Sequence, residues 1–221
     1  TSNWNTAHDA IAGYVADLSD TIYPYLTQPT SNGSYNEIPR MFFPINTAGI
    51  DDGATITAAA FYFNVVANTS DNTSLLRLVQ TTQANIDNLV TGDFDQCGSI
   101  NNPDAGATDL DITGMGTGYN HFDLNATGLT WIIKDGYTKL GIRYSHDASD
   151  EIPPLDGVDE IDMSTSADTS GTKDPYLDVT VGGGGSSPSA SPSASVSSSP
   201  SASPSASVSA SPSSSPSASP S

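Results

Sequence analysis

Ser145, His146 and Asp147 are three neighbouring residues whose side chains serve in hydrolases as nucleophile, base and orienting acid. They follow an alternating apolar row that runs from Leu140 to Tyr144 and predicts a β-strand. Successive side chains of a strand point to opposite faces, so three adjacent ones cannot converge on one substrate atom. We therefore predict that no residue is catalytic, that the chain is not an enzyme, and that these three residues mark a strand end running into a loop.

Carboxylates crowd two stretches of the sequence, and carboxylate oxygens together with loop carbonyls are the ligands that calcium prefers. The loop pattern of an EF-hand is absent, and a cluster of acids also suits a solvated face without a metal. The hypothesis of a structural Ca²⁺ assigns as ligands Asp109 and Asp111 in the first stretch and Asp147, Asp150, Glu151, Asp156 and Asp159 in the second.

Glycan binding requires exposed aromatic rings with polar neighbours, and several aromatic residues stand in polar or turn-rich contexts. Each of them has an alternative role in core or rim packing, which is the more common use of such side chains. The candidates for a glycan-binding surface are Trp4, Tyr23, Tyr25, Tyr35 and Tyr119.

Covalent glycosylation is predicted at two kinds of position. Asn68 and Asn72 begin N-x-S/T sequons on either side of a predicted loop. The C-terminal part of the chain places serine densely beside proline and alanine, a composition that suits O-glycosylation. Representative serines there are Ser189, Ser193, Ser201 and Ser205.

The composition divides the chain into a folded part, a linker and a tail. Residues 1–181 contain every charged and aromatic residue, residues 182–185 are a linker of four glycines, and residues 186–221 contain only Ser, Pro, Ala and Val. Serine occupies every odd position from 187 to 221, and Val196 and Val208 mark a 12-residue unit. Such a segment cannot bury enough apolar surface to fold, so we predict a disordered or extended stalk.

Residues 1–181 are predicted to be all-β, because apolar and polar residues alternate with a period of two in several separate rows. Turn-forming residues such as Asp51-Asp52-Gly53 separate the rows, as in an antiparallel, jelly-roll-like β-sandwich. The rows are 41–45, 57–65, 76–78, 140–144 and 177–181.

One or two short helices are expected within this sandwich. Asn125 is a suitable N-cap for a helix that ends near Gly136 and places Leu129, Ile132 and Ile133 on one face. A second element of a single turn is predicted over 84–90.

Three segments resemble one known family. "RMFFPINTAGIDDGATITAAAFYF" (Arg40–Phe63), "NATGLTWIIKDGYTKLGIRYSHD" (Asn125–Asp147) and "GTKDPYLDVTV" (Gly171–Val181) are similar to the strand–turn–strand segments of the DNRLRE-like, disaggregatase-related β-sandwich domain. The resemblance covers residues 4–181 and implies a jelly-roll-like extracellular domain. Some relatives are carbohydrate-binding modules and others are structural repeats, so the resemblance implies a fold more than a function.

The charge and the single cysteine exclude several classes of partner and of protein. With 25 acidic and 6 basic residues the net charge is −19, which excludes nucleic acid and anionic membrane surfaces as partners. No apolar run is long enough to insert into a membrane. Cys97 has no cysteine partner in the chain, so it is a buried small apolar residue, the site of an intermolecular bridge or a modified thiol.

Two functional hypotheses remain. The first is a non-catalytic extracellular structural or adhesive module, a subunit or repeat of a cell-surface filament, sheath or virion appendage on a glycosylated Ser/Pro stalk. Its partners would be further copies or neighbouring surface proteins, joined through sheet edges, with 1–30 as the segment for exchange. The alternative is a carbohydrate-binding module that a linker tethers to a cell wall or an enzyme, with a polysaccharide as partner.

Overall fold

A computed structural model describes residues 2–17, 21–22, 25–27, 34–35, 38–70, 74–153, 158–165, 173–182 and 194–197. The described residues form strands and a few short helices. The strands are β1 (Ser2–Asn3), β2 (Thr21–Ile22), β3 (Tyr25–Thr27), β4 (Ser34–Tyr35), β5 (Arg40–Asn46), β6 (Thr55–Asn68), β7 (Leu75–Gln80), β8 (Leu110–Asp111), β9 (Gly118–Asp123), β10 (Tyr137–Tyr144), β11 (Val158–Ser164), β12 (Tyr176–Gly182) and β13 (Ala194–Ser197). The helices are α1 (Trp4–His8), α2 (Ala126–Thr130) and α3 (Ser145–Ser149), with a 3₁₀ helix at Thr91–Gln96.

The smaller sheet has the strand order β5-β10-β7-β8, and all its pairings are antiparallel. Leu140 of β10 pairs with Phe43 of β5 on one side and with Gln80 of β7 on the other. The alternating apolar residues of these strands are buried, as their period of two predicts. They are Met41, Phe43, Ile45, Leu76, Leu78, Leu140, Ile142 and Tyr144.

The larger sheet is built around the long strand β6. Residues 60–62 of β6 pair with both β9 and β12, so these two strands lie on opposite edges of β6. Val65 pairs with both β9 and β11, which places β11 after β12 on the same edge. Strands β2 and β3 pair with β11, and β13 pairs with the other side of β12.

The core lies between the two sheets. Phe43 of the smaller sheet packs against Phe61 of the larger one with ring centroids 5.2 Å apart, and Phe63 packs against Phe122 at 5.6 Å. Phe61, Phe63 and Phe122 are fully buried. Two antiparallel sheets with a shared apolar interior make an all-β sandwich, which confirms the predicted fold class.

Helix α2 begins where the sequence predicts but ends earlier. The side chain of Asn125 accepts a hydrogen bond from the Gly128 backbone N–H at 2.9 Å, which confirms the N-cap. The helix ends at Thr130 rather than near Gly136, because the hydroxyls of Thr47 and Thr138 bond the backbone carbonyl and N–H of Ile133. Ile133 is consequently 42% exposed, so its predicted place on the packed face is wrong.

The single-turn element predicted over 84–90 is absent from that stretch, all of which is described, and the helical turn lies at Thr91–Gln96 instead. The side-chain oxygen of Asn85 accepts a hydrogen bond from the Asp87 backbone N–H at 2.8 Å. This local turn competes with helix formation for the same backbone groups. The prediction of a helical turn at 84–90 is therefore wrong.

Cys97 is fully buried against the smaller sheet, as the first of the three interpretations of this residue predicted. It fits there because residue 141 is a glycine: a Cβ at Gly141 would lie 2.7 Å from the Cys97 sulfur. Burial raises the pKa of the Cys97 thiol to about 12, against the opposing charges of Arg143 and Arg40.

We therefore expect Cys97 to react with a thiol reagent such as dithionitrobenzoate only when the domain unfolds, because the thiolate is the reactive form. At pH 8 the native chain should show no fast labelling, and the labelling rate should rise with urea along the same curve as the loss of tyrosine and tryptophan fluorescence signal. Stoichiometric labelling of the native chain within minutes would contradict this expectation.

None of the helices in the described ranges is long and apolar enough to cross a membrane. Within the predicted stalk, only Ala194–Ser197 is described, as β13.

Candidate functional site: the outer face and β12 edge of the larger sheet

A buried ionic cluster contains Asp147, one of the three neighbouring residues whose types occur in hydrolase active sites. Asp147 is fully buried, and its carboxylate accepts hydrogen bonds from Arg40 at 2.9 and 3.0 Å and from Arg143 at 2.5 Å. Arg40 and Arg143 pair directly across β5 and β10, so their like charges would repel without the carboxylate between them. The remaining guanidinium N–H groups donate to backbone carbonyls, including those of His8, Phe94 and Ser99.

Helix α3 places Asp147 in this cluster. The sequence predicted a loop after Tyr144, but Ser145–Ser149 forms one helical turn that ends at Asp150 in the left-handed conformation, with φ of 54°. That turn brings Asp147 back over Arg143 at a spacing of four residues. Asp147 therefore joins strands together instead of orienting a histidine, and the three residues form no nucleophile–base arrangement.

The N-terminal helix α1 is held against the same cluster. The indole N–H of Trp4 donates to the Asp150 carboxylate at 2.8 Å, and the Trp4 ring stacks on His8 with centroids 5.4 Å apart. One ring nitrogen of His8 lies 2.6 Å from the Asp9 carboxylate and the other 2.8 Å from the Asp147 carbonyl oxygen. Trp4 is only 3% exposed, so its predicted role in glycan stacking is wrong: the ring belongs to the core.

The ionic cluster predicts how stability depends on pH. Burial acts to raise the pKa of Asp147, but the hydrogen bonds from Arg40 and the charges of Arg40 and Arg143 outweigh burial and hold the pKa below its usual range. A carboxyl group with a lowered folded-state pKa contributes stability above its unfolded pKa of about 3.9 and loses that contribution as pH falls further.

We therefore expect the free energy of unfolding of the native chain to fall as pH drops below about 4, and Asp147→Asn to lose that part of the pH dependence. Urea titrations of both chains at a series of pH values provide the measurement. Parallel pH profiles for the two chains would show that Asp147 does not carry the effect.

The acids proposed as calcium ligands do not come together in the structure. Asp109 receives a bidentate pair of hydrogen bonds from Arg77 at 2.8 and 3.1 Å, and Asp147 is surrounded by arginines, so both have cationic partners where the hypothesis needed an ion. Asp111 accepts from the Thr113 backbone N–H at 2.7 Å, which lowers the pKa of its carboxyl group.

The remaining proposed calcium ligands form no site either. Glu151 is exposed, and Asp150 is bonded to Trp4. Asp156 and the side chain of Asp159 lie outside the described residues. Among the residues described, no group of three His, Cys, Asp or Glu side chains could hold a metal ion.

The amide of Asn68 has a structural use. Its nitrogen donates to the carbonyls of Ile112 and Met115 at 2.8 and 3.0 Å, and its oxygen accepts from the Ser70 backbone N–H. Glycosylation at this nitrogen would replace one of the two donated hydrogens. Asn72 and the proposed O-glycosylation sites Ser189, Ser193, Ser201 and Ser205 lie outside the described residues.

An aromatic row crosses the outer face of the larger sheet. His121 of β9, Tyr62 of β6 and Tyr176 of β12 are direct cross-strand neighbours, and their rings stack with centroids 5.0 and 4.6 Å apart. Tyr119 reaches across β6 to lie edge-on to Tyr176 at 5.4 Å, and its hydroxyl donates to the Asp174 carbonyl at 3.1 Å. Burial, followed by the neighbouring Tyr62 and Asp178, raises the pKa of the Tyr176 hydroxyl.

Carboxylates and an open cleft lie beside the aromatic row. Ala60 pairs with Asp123 on one side and Asp178 on the other, so two carboxylates flank a small residue beside the rings. An open cleft of about 530 Å³ adjoins Tyr119 and His121 and includes Asp111 and Met115 in its lining. Tyr119 is 44% exposed and fits its prediction as a surface aromatic.

Three aromatic residues of the row were not predicted as site residues. Alternation alone could have identified Tyr62, His121 and Tyr176. Tyr62, for example, lies between Phe61 and Phe63, which are buried, so its side chain points to the outer face of the strand. Of the other predicted glycan-binding residues, Tyr23 and the side chains of Tyr25 and Tyr35 lie outside the described residues.

The row leads to a sheet edge that a segment of the tail occupies. Strand β13 pairs antiparallel with β12, with Tyr176 opposite Ser197 and Val179 opposite Ala194. Within β12 there is no proline, lysine or arginine, the residues that protect exposed edges. Strand β5, one of the two edge strands of the smaller sheet, carries Pro44, which lacks a backbone N–H and so protects that edge.

Most positively charged side chains of the chain bond to carboxylates or backbone carbonyls of the same domain. Arg40 and Arg143 bond Asp147, and Arg77 bonds Asp109. The ammonium groups of Lys134 and Lys139 donate to the backbone carbonyls of residues 52, 54 and 83. Near the aromatic row and the β12 edge lie the carboxylates of Asp123 and Asp178 and one exposed lysine, Lys173.

The chain matches no known family model, and neither a curated protein nor a solved structure is significantly similar to it. The resemblance to DNRLRE-like domains therefore stays a prediction.

Proposed function

We propose that the chain is a non-catalytic extracellular structural or adhesive module, a subunit or repeat of a cell-surface filament, sheath or virion appendage. The observation that carries the proposal is the pairing of Ala194–Ser197 with the outer edge of β12. A tail segment that adds a strand to a sheet edge can join further copies of the same domain through main-chain hydrogen bonds.

Composition supports the same function. A net charge of −19 keeps a protein soluble at high local concentration, as a surface coat requires, and a Ser/Pro/Ala stalk provides a hydrophilic spacer. We also assign the domain to the DNRLRE-like sandwiches, on the three segments 40–63, 125–147 and 171–181. The extracellular location that we propose follows from this assignment, since that family is extracellular.

The test is the assembly state of the full chain. Analytical ultracentrifugation from micromolar to millimolar concentration, with added salt to screen the charge, should detect association, and electron microscopy of native material should reveal filaments or sheaths. A chain that is monomeric under all these conditions would contradict the proposal. So would turnover of a polysaccharide that is lost when one clustered acid is neutralised.

A carbohydrate-binding module is the second candidate, and the aromatic row on the outer sheet face favours it. Within the row the ring faces of Tyr62 and Tyr176 cover each other, so Tyr119 and His121, beside the open cleft, are the rings with room for a sugar. Because carboxylates flank the row, a neutral glycan suits it better than an acidic polysaccharide. Affinity-gel retardation by neutral polysaccharides that Tyr119→Ala abolishes, and that the distant Tyr137→Ala preserves, would support this candidate over the first.

A further inference from the structure

The spacing of proline limits which parts of the tail can form a strand. A proline inside an antiparallel ladder removes a backbone N–H, so a docking strand must lie between prolines. Across residues 186–221 most intervals between successive prolines contain three residues, too few for the four-residue pairing seen for β13. Two intervals contain seven residues, 193–199 and 205–211, and we name them the first and second windows.

The two windows are equivalent in sequence. Residues 188–197 and 200–209 have the same ten-residue sequence, PSASPSASVS, so the ASVS segment of β13 recurs at 206–209. The first window contains β13, and the second repeats its pattern of serine alternating with alanine and valine. Whatever backbone pairing the first window makes with β12, the second window can make as well.

The register of β13 suits a specific acceptor. The pairing sets Val196 opposite Leu177 and Ala194 opposite Val179, and it sets the serines opposite Tyr176 and Asp178. Leu177 and Val179 are the buried positions of β12, so apolar residues of the window pair with apolar residues of the edge strand. A slip of one residue would reverse this pattern, so the pairing specifies which face each residue of the window occupies.

We propose that the second window binds the β12 edge of another copy of this chain, in the register of β13, and so links copies through exchanged tail strands. The inference rests on the proposed structural function and names its partner. Each copy then has one acceptor edge and two equivalent donor windows. Eight residues, 198–205, separate β13 from the equivalent segment 206–209, and they span about 28 Å when extended, enough to reach a neighbouring domain of similar size.

Competition between a chain's own tail and that of a neighbour decides the extent of exchange. A window on the same chain has a high effective concentration, of millimolar order for a flexible tether. Exchange therefore dominates when copies are crowded, as in a surface layer. Open, head-to-tail contacts of this kind extend into fibres when they do not close into a ring.

Disulfide trapping between two differently labelled chains tests the proposal. Ser195 pairs with Asp178, and Ser207 is its equivalent in the second window, so we mix a chain carrying Asp178→Cys with one carrying Ser207→Cys. Directly paired residues of an antiparallel ladder have Cα atoms about 4.5–5.5 Å apart, within the range of a disulfide. The native Cys97 is buried with its pKa raised to about 12 and does not compete.

The matched control is Ser203→Cys, on a serine of the same tail that lies between two closely spaced prolines. At millimolar chain concentration under mild oxidation we expect the Ser207 variant to give at least several-fold more mixed dimer on a non-reducing gel than the Ser203 variant. A single chain carrying both Asp178→Cys and Ser195→Cys should form the disulfide internally, which verifies that the edge remains folded.

Equal yields from Ser207 and Ser203, or no mixed dimer from Ser207, would overturn the inference. Ultracentrifugation of the native chain separates the two failures. If copies associate but the cross-link is absent, the tail-exchange inference fails alone; if copies never associate, the proposed function fails with it.

Discussion

Asp147→Ala is expected to lower the free energy of unfolding by about 3–5 kcal/mol, the range found when one partner of a buried ion pair is removed. The substitution leaves Arg40 and Arg143 facing each other across two paired strands, fully buried and without their shared carboxylate. It also releases helix α3, whose only buried charged side chain is Asp147. Urea unfolding followed by tryptophan fluorescence measures the loss.

Asp109→Ala is the matched control, because it removes another carboxylate that is bonded to an arginine. The Arg77–Asp109 pair is partly solvated, with side chains 21% and 17% exposed, so we expect a loss of about 1 kcal/mol or less. Equal losses for the two substitutions would mean that burial does not distinguish the pairs, and the account of the ionic cluster would be wrong.

Trp4→Ala is expected to cost about 3–5 kcal/mol of unfolding free energy, as for other large aromatic side chains removed from a core. The indole fills the core end of α1, stacks on His8 and donates to Asp150, so its removal frees the N-terminal helix as well as creating a cavity. Differential scanning calorimetry measures the stability, and limited proteolysis measures exposure of the residues that follow α1.

Two further substitutions separate the causes. Trp4→Phe keeps most of the packing and loses the hydrogen bond to Asp150, so we expect a smaller loss, of about 1–2 kcal/mol. Tyr14→Ala, in the same segment but 99% exposed, should change stability by no more than about 0.5 kcal/mol. If Tyr14→Ala proved as damaging as Trp4→Ala, the N-terminal segment would be packed differently.

Strands were predictable because their signal is local. In β6 and β10 the alternation of apolar and polar residues alone identifies both the strand and its buried face, and the burial of Phe61, Phe63 and Ile142 follows that pattern. The N-cap at Asn125 is local in the same way, since the capping bond spans only three residues.

The candidate site was less predictable, because its contacts join residues distant in sequence. Arg40 and Asp147 are 107 residues apart, and nothing near either residue indicates that the carboxylate is buried between arginines and not free to bind calcium. Trp4 stands among polar residues, yet its partner Asp150 lies 146 positions away. Local composition therefore suggested exposure for side chains that tertiary contacts bury.

The engagement of the arginines and lysines within the fold has a consequence for how copies meet. With few free cations on its surface, each domain is surrounded by a cloud of counterions, and two such clouds overlap when domains approach within a Debye length, about 10 Å at 0.1 M salt. Ionic strength therefore controls how closely neighbouring domains pack. In dilute medium the domains hold each other apart, whereas in brine the same surfaces can touch and short-range backbone pairing can decide the arrangement.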